Sequence, residues 1–517
     1  MKFNLLDERW IPCLMKDGKM DELSIRQLVV GASDIVEIID ESPLVRCAIH
    51  RLLLAILHRN LGPVEESDWG KIWTDGQWDI RCLDAYIDKW HGSFDIFDEA
   101  RPFYQTKEVD GKLPVTIAKI VHEMSSGNNP AWFDHRWDDS PPIVPAAEAA
   151  RYLIAAQAYS LSGLSGSDTN FEHAPLVSGA AIFLKGASVF ETLTLNLIRY
   201  DGKNAPLPCT DDKPSWEASD EAVLEVRREP HGYLDYLTWQ SRAIRLVPEE
   251  VMGNRYVSRV KLGVGRMFPK NAAIIDPSKA FRKVNDRGFV PISFDPDRAF
   301  WRNSLVLLRL PRSNGDTVPP YAMKWVSGFV NDSIVDSSRV FSIEAFGLVS
   351  NKPAKVDLWR HEVLPIPARY LQDELIVDAL GQALDIAEKG GIILNVSVRE
   401  AFRWWIDPTD GKPERDELAE RVRASSIPRQ YWATLEGAFR RFIFDLVSPT
   451  IGIDTDEGRV LALKGWAQDV VAKEARKQFN RLYGELPENP AGLKAIVKAQ
   501  GRFLYGIKEI SDKYGGE

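Results

Sequence analysis

The texture of the chain changes at Pro365, and that change limits the architecture more than any other feature. Beyond it, strand-like alternation stops and helical spacing begins: Tyr370–Glu388, Val396–Trp405, Tyr431–Val447, Arg459–Tyr483 and Ala491–Ile510. In the third of these, Leu435, Phe439, Phe442, Ile443 and Leu446 recur on one helical face. Gly390-Gly391, Asp407-Pro408, Ser448-Pro449 and the stretch from Pro487 to Pro490 read as linkers. Long amphipathic helices with short connections predict a C-terminal four-helix bundle over residues 365–517.

Residues 1–364 mix helix and strand patterns, so the fold class is α+β: a large mixed N-terminal domain with several antiparallel strands, followed by the bundle. Phe3 to Ile11 reads as a short strand ended by Pro12. Leu44–Leu57 reads as an apolar helix, with Arg46, His50, Arg51, His58 and Arg59 at its other positions. An alanine-rich helix carries Ala146, Ala149, Leu153, Ala156 and Gln157. Alternation at Leu193, Leu195 and Leu197 predicts a half-buried strand with 178–186 as its partner. Further strands are expected at 303–310 and 339–350.

At 517 residues the chain exceeds one ordinary core, and 44% apolar with 27% charged residues fits a folded, soluble protein rather than a disordered one. No apolar run has the length to span a bilayer, and the first residues lack a secretory pattern, so a cytoplasmic location is expected. The four cysteines form no CxxC pair, which fits a reducing compartment and argues against a zinc knuckle. A net charge of −9 disfavours a protein that binds nucleic acid alone. It is compatible with local basic groups, or with work inside a larger particle.

Four stretches carry candidate chemistry in the first part of the chain. Residues 125–145 form a long loop rich in Trp, Phe and charge; such loops bind something or cap a core edge. Residues 160–170, SLSGLSGSDTN, form a glycine-serine loop in which backbone amides can approach a phosphate or base edge. Residues 254–273 place Arg255, Arg259, Lys261, Arg266 and Lys270 among Tyr256, Phe268 and glycines, either a solvated face or a nucleic-acid contact. Asn351, Lys352 and Pro353 form a turn signature after a strand, either a plain exposed turn or a tip that reaches a groove. In the bundle, Lys473, Lys477 and Arg481, and likewise Lys494, Lys498 and Arg502, fall on single helical faces. Each row is either a phosphate track or solubilising charge.

Catalytic signatures are missing: there is no GxxxxGK[ST], no GxSxG and no HExxH. Asp134-His135 with Asp138 and Asp139 is the one candidate metal constellation, with His122 and His173 the nearest further imidazoles.

The opening FNLLDERWIP, the motif RPFYQT at Arg101–Thr106, the NPAWFDH loop, the glycine loop and the order of a β-rich domain before a helix bundle together resemble one family. It is CasA, the large subunit of the type I-E CRISPR surveillance complex Cascade, and the resemblance covers essentially the whole chain. It implies a non-catalytic subunit that recognises the protospacer-adjacent motif (PAM) in double-stranded DNA. It also implies help in opening the duplex for R-loop formation and support for recruiting the helicase-nuclease, while guide RNA pairing reads the sequence. Other Cascade subunits, guide RNA, duplex target DNA and the displaced strand are the implied partners, with no membrane and no cofactor.

The resemblance also implies residue roles. The loop carrying Asn129, Trp132, Phe133 and His135 corresponds to the one reaching the PAM-proximal region and the guide's 5′ handle. Gly163, Ser165 and Gly166 correspond to the glycine loop that meets the minor groove. Arg259 or Lys261 stands where the family places a basic finger, and Asn351, Lys352 and Ala354 lie at the wedge that splits the first base pair. Where some members carry a glutamine at the wedge tip, this chain has Lys352 followed by Pro353. Some members also carry a cysteine cluster; this chain has none, so no metal is expected. The basic rows Lys473–Arg481 and Lys494–Arg502 would guide the displaced strand. Two other readings are a protein-only scaffold and a metal-dependent hydrolase built on Asp134 and His135.

Overall fold

A computed structural model describes residues 2–124, 141–164, 170–200, 207, 211–218, 227–270, 272, 274–285, 288–295, 298–310, 315–349, 356, 358–448 and 455–515. Helices and antiparallel sheets are mixed along the chain, and the C-terminal region is helical. The chain divides into two compact units. One comprises residues 1–295, 310–336 and 341–363; the other comprises 296–309, 337–340 and 364–517.

In the first unit, Ile11–Met15 is the middle strand of a three-stranded antiparallel sheet, between Met20–Leu23 and Ile35–Ile38. The expected strand at Phe3–Ile11 is therefore displaced: it starts at Ile11 and carries Pro12 within it. The Pro12 carbonyl accepts from the Ile39 N–H at 2.9 Å, so the ring removes a donor without ending the strand. Phe3, Leu5, Leu6 and Trp10 are buried instead as a folded-back segment. The Trp10 indole donates to the Leu5 carbonyl, and Leu5 N–H donates to Phe94 O.

Pro43–Leu61 is one helix, started by Pro at its first turn and by the Ser42 hydroxyl accepting from Val45 N–H. It is buried nearly all round, so His50, Arg51 and His58 lie in the core rather than on a polar face. Each ring satisfies Nδ1 on the carbonyl one turn back, His50 on Arg46 and His58 on Leu54. The alanine helix Ala146–Tyr159 packs Ala149, Leu153 and Ala156 inward as the pattern requires.

The alternating leucines form no strand. Val189–Leu195 is a helix capped by Ser188, whose hydroxyl accepts from Glu191 N–H. Every residue but Glu191 is buried, and a helix buried on all sides has no polar face from which to read a period. The strand Ala181–Lys185 pairs instead with Val340–Val349, with Phe346 opposite Ala181 and Ser342 opposite Lys185. Residues 300–308 likewise form a 3₁₀ turn and the short helix Ser304–Leu308 in place of a strand.

A four-stranded antiparallel sheet anchors the basic stretch. Arg242–Val251 and Asn254–Val264 form a long hairpin. On its other side Asn254–Val264 pairs with Val115–Thr116 and Val144–Pro145.

In the second unit, the two expected helices on either side of Gly390-Gly391 are a single helix, Glu374–Ile406, of 33 residues. Those glycines are close-approach points rather than a linker. A Cβ on Gly390 would meet Tyr431 Oη at 2.5 Å, and one on Gly391 would meet the Trp432 ring at 2.5 Å. Ile427–Asp445 packs against it and buries Leu435, Phe439, Phe442 and Ile443. Asp456–Gly465 continues through a π-helical stretch, Trp466–Ala472, into Lys473–Asn480. Pro490–Gly515 completes the four long helices. Indole and phenol hydrogen bonds stitch them: Trp466 Nε1 donates to Ala383 O, Tyr431 Oη to Ala387 O and Tyr370 Oη to Ile443 O, each at 2.8 Å. Among the described residues no helix is long and apolar enough to cross a membrane.

Candidate nucleic-acid interface

The four-stranded sheet gathers three of the sequence-marked features. Residues 125–140 lie outside the described residues, but the chain leaves toward them past Val115–Thr116 and returns through Val144–Pro145. Both short strands pair with the strand that carries Arg259: Arg259 faces Thr116, and Tyr256 faces Pro145. The neighbouring strand begins at Arg242, whose side chain holds the glycine hairpin.

A register shift between Val257 and Arg259 sets the direction of the basic side chains. Val257 and Val260 are both fully buried, and Arg259 is exposed. Arg259 makes no ion pair or hydrogen bond among the described residues. Three of the other four cations are more committed. Arg255 pairs with Glu8 at 2.9 Å, Lys261 donates to the Asp110 carbonyl, and Arg266 is buried 3.5 Å from Asp235. Of the two candidates for a basic finger, Arg259 has the freer side-chain cation.

The glycine loop emerges from a ribbon. Gly163 pairs with Phe171 and Leu164 with Asn170. Below them the ribbon continues as Ala174 N–H to Ser160 O and Leu176 N–H to Ala158 O, both 2.9 Å, down to the end of the alanine helix. Ser162 N–H donates to His173 Nδ1 at 3.0 Å. That leaves the proton of the neutral ring on Nε2, facing the Ser162 hydroxyl at 3.4 Å. Burial, with Arg242 adding to it, pushes the His173 pKa down and favours this neutral form. Arg242 bridges both sides of the ribbon. Its Nη2 donates to Leu161 O at 2.7 Å and to Glu172 O at 2.8 Å. No sequence pattern marks Arg242 or the pairing of Ser162 with His173, because the partners are backbone atoms or rings set by the fold.

Several expected site residues lie outside the described residues: Asn129, Trp132, Phe133 and His135, then Ser165 and Gly166, then Asn351, Lys352 and Ala354. Residues 350–357 connect the adjacent strands Val340–Val349 and Leu358–Pro367, which belong to a different sheet from Arg259.

In the helical unit all six residues of the basic rows are exposed. The rows differ in what they touch. Lys477 sits 3.8 Å from Glu474. Lys494 donates to Pro408 O at 2.6 Å, and the ammoniums of Lys494 and Lys498 lie 5.4 and 5.0 Å from the centre of the Trp404 ring. A Cβ on Gly411 would meet the same ring at 3.1 Å, and Arg421 stacks over Trp405. The helices bearing the rows meet where Phe479 stacks on Phe503, ring centres 4.2 Å apart.

For a hydrolytic metal site the described residues offer little. His122 donates Nε2–H to Tyr159 O at 2.9 Å, and His173 is held by Ser162. No group of three metal-binding side chains occurs among the described residues; Asp134, His135, Asp138 and Asp139 lie outside them.

The family model for CRISPR-associated protein Cse1 matches residues 4–476. A CRISPR-associated protein CasA/Cse1 of Thermus thermophilus is 30% identical over 516 residues, covering 94% of this chain and 98% of its own. A crystal structure of CasA from Thermus thermophilus superposes with a TM-score of 0.81 at 26% identity, covering 98% of this chain and 100% of that one. A chain from a CRISPR RNA-guided surveillance complex shares the fold at TM-score 0.78 and 18% identity, over 97% of this chain and 99% of its own.

Proposed function

The chain belongs to the CRISPR-associated protein Cse1 family, and on that premise we propose that it is the large, non-catalytic subunit of a type I-E RNA-guided surveillance complex. In that complex it reads the PAM in duplex DNA, helps to separate the strands for R-loop formation and supports docking of the helicase-nuclease. Residues 1–364 carry the reading loops and residues 365–517 the bundle. The work is cytoplasmic, where guide RNA, the other subunits and invading DNA meet.

One observation carries this reading: a single sheet collects both ends of the loop 125–140, the exposed Arg259 and the clamp under the glycine hairpin. Backbone amides of Gly163, Ser165 and Gly166 suit a minor groove, whose donor and acceptor code is degenerate and whose width is the main signal. Arg259 adds one phosphate-seeking cation; Lys261, spent on Asp110, is the lesser candidate. Asn129, Trp132, Phe133 and His135 face the guide RNA end and the PAM-proximal pairs. Asn351, Lys352 and Ala354 form the wedge, which must offset a few kcal/mol of unstacking per step. The rows Lys473, Lys477, Arg481 and Lys494, Lys498, Arg502 guide the displaced strand. With −9 net charge on this subunit, most phosphate neutralisation falls to its partners.

The test is DNA binding by the reconstituted complex, with and without this subunit, on duplexes that differ only in the PAM. Motif-dependent affinity that appears with the subunit and disappears in Gly166→Asp or Lys352→Ala is the expected result. Equal affinity across motifs would instead establish a protein-only scaffold.

A further inference from the structure

We infer that Arg242 is the positioning residue of the glycine loop: its buried guanidinium ties the two strands of the loop's stem to each other and to the sheet. The inference rests on the reading of that loop as a PAM-contacting element.

Arg242 is buried to a degree rare for an arginine: it is 4% exposed and forms no ion pair among the described residues. Removing a guanidinium from water is costly unless its donors are filled. Here carbonyl oxygens take three of the five: Nη1 donates to Ser241 O at 2.7 Å, and Nη2 donates to Leu161 O and Glu172 O. Leu161 and Glu172 sit on opposite sides of the ribbon, so one nitrogen closes it like a staple. The guanidinium carbon also lies 4.7 Å from the centre of the Phe171 ring, the stem residue opposite Gly163. With carbonyls rather than a carboxylate as partners, burial dominates; it lowers the guanidinium pKa to about 10 and still keeps the group charged at neutral pH.

The staple is itself fixed. Gln157, on the alanine helix, accepts from Arg242 N–H at 2.9 Å and donates to Arg242 O at 3.0 Å. On the far strand Glu172 forms a two-point pair with Arg227 at 2.6 and 3.3 Å, and Arg227 also donates to Phe268 O. On the near strand the Ser162 amide is held by His173. Consecutive residues on both strands, Leu161-Ser162 and Glu172-His173, are thus held by Arg242 and Arg227 from two other segments and by the ribbon's own His173. A plain hairpin of this length would be marginal by itself. Fixing the stem before DNA arrives removes an ordering cost from the bound state, which is where discrimination by a loop is gained or lost.

The experiment uses the assembled complex. Arg242→Met and His173→Phe are compared with wild type for affinity to duplexes with and without the PAM, for thermal unfolding, and for amide exchange at Ser162 and Gly163. Arg242→Met should lower the PAM preference about tenfold while affinity for PAM-free DNA stays unchanged. Arg242→Lys, able to bridge carbonyls with a shorter reach, should recover part of it. His173→Phe, which buries no new charge, should speed exchange at Ser162 and lower the preference in the same direction. It decides the matter if Arg242→Met does not assemble. Gly166→Asp separates the two claims. If Gly166→Asp abolishes PAM preference and both stem variants retain it, the staple is overturned and the loop's role stands. If Gly166→Asp leaves the preference intact, the loop reading fails and the inference fails with it.

Discussion

The hydroxyl of Tyr431 occupies the space that a side chain at Gly390 would need: a Cβ there would come within 2.5 Å of Tyr431 Oη and 2.6 Å of a Val471 methyl. The same hydroxyl donates to Ala387 O, one turn earlier on the long helix. Gly390→Ala gains about 1 kcal/mol of helix propensity. It forces a packed phenol off its partner, an overpacking cost of about 1–3 kcal/mol. Urea unfolding should show no gain in stability and a net loss for bulkier Gly390→Val. An increase with Val would mean the helices part freely here.

Stability should fall on acidification in two stages. Burial pushes the His58 pKa from 6.5 down to about 4, while its Nε2 accepts from Ile198 N–H. A lowered histidine pKa means the unfolded chain binds the proton first. The stabilisation is complete above pH 6.5 and lost as pH falls to about 4, roughly 3 kcal/mol. Burial alone would raise Glu344, but the hydrogen bond from His361 and the nearby Lys185 outweigh it and hold the carboxyl at about 2. Its stabilisation is present above pH 4.5 and lost toward pH 2. Denaturant midpoints measured from pH 8 to 2 check both windows; His58→Gln should flatten the first.

Arg259 and Lys261 should separate in a salt titration. Arg259→Ala is expected to reduce DNA affinity of the complex severalfold and to lower the salt slope by about 1, as loss of one phosphate contact does. Lys261→Ala should change the slope less, because its ammonium is already held by Asp110 O. Equal slopes in both variants would reject Arg259 as the contact.

Lys494→Glu with Lys498→Glu should shorten R-loop lifetime in the assembled complex, with little change in PAM preference. The two ammoniums already share the Trp404 ring, so reversal removes a cation–π contact of about 0.5–1 kcal/mol as well as the charge. Thermal unfolding of Trp404→Leu tells the two losses apart: it should destabilise without shortening the R-loop lifetime as much.

The helical half was legible because amphipathic helices declare a period, and Leu435, Phe439, Phe442 and Ile443 did so. Gly390-Gly391 misled for a physical reason: a glycine pair reads as a break, whereas here it makes room for Tyr431 and Trp432. Val189–Leu195 and Ser304–Leu308 carry short apolar runs in which helix and strand look alike. Arg259 was visible as one cation in a basic stretch, but the choice between it and Lys261 needed the bulge and the Asp110 carbonyl. Arg242 was invisible, since nothing in a sequence says that an arginine will spend itself on main-chain oxygens 70 and 81 residues away.

The π-helical stretch Trp466–Ala472 sets the azimuth of the helix that continues from it, Lys473–Asn480. Each α-helical residue advances the chain about 100° around its axis, so widening the turn over these residues re-indexes the outward faces on either side. Lys473, Lys477 and Arg481 point where they do because of that offset, not because of their spacing from Arg459 or Lys464 upstream. Removing a single residue between Trp466 and Ala472 would let the stretch close to α-helix and hold the row near its present face, whereas the same deletion within Asp456–Gly465 would rotate it by roughly a quarter turn, its charge and internal spacing untouched. The direction of this cationic face is therefore encoded in helix phase, a property that substitution scans of the lysines themselves would never detect.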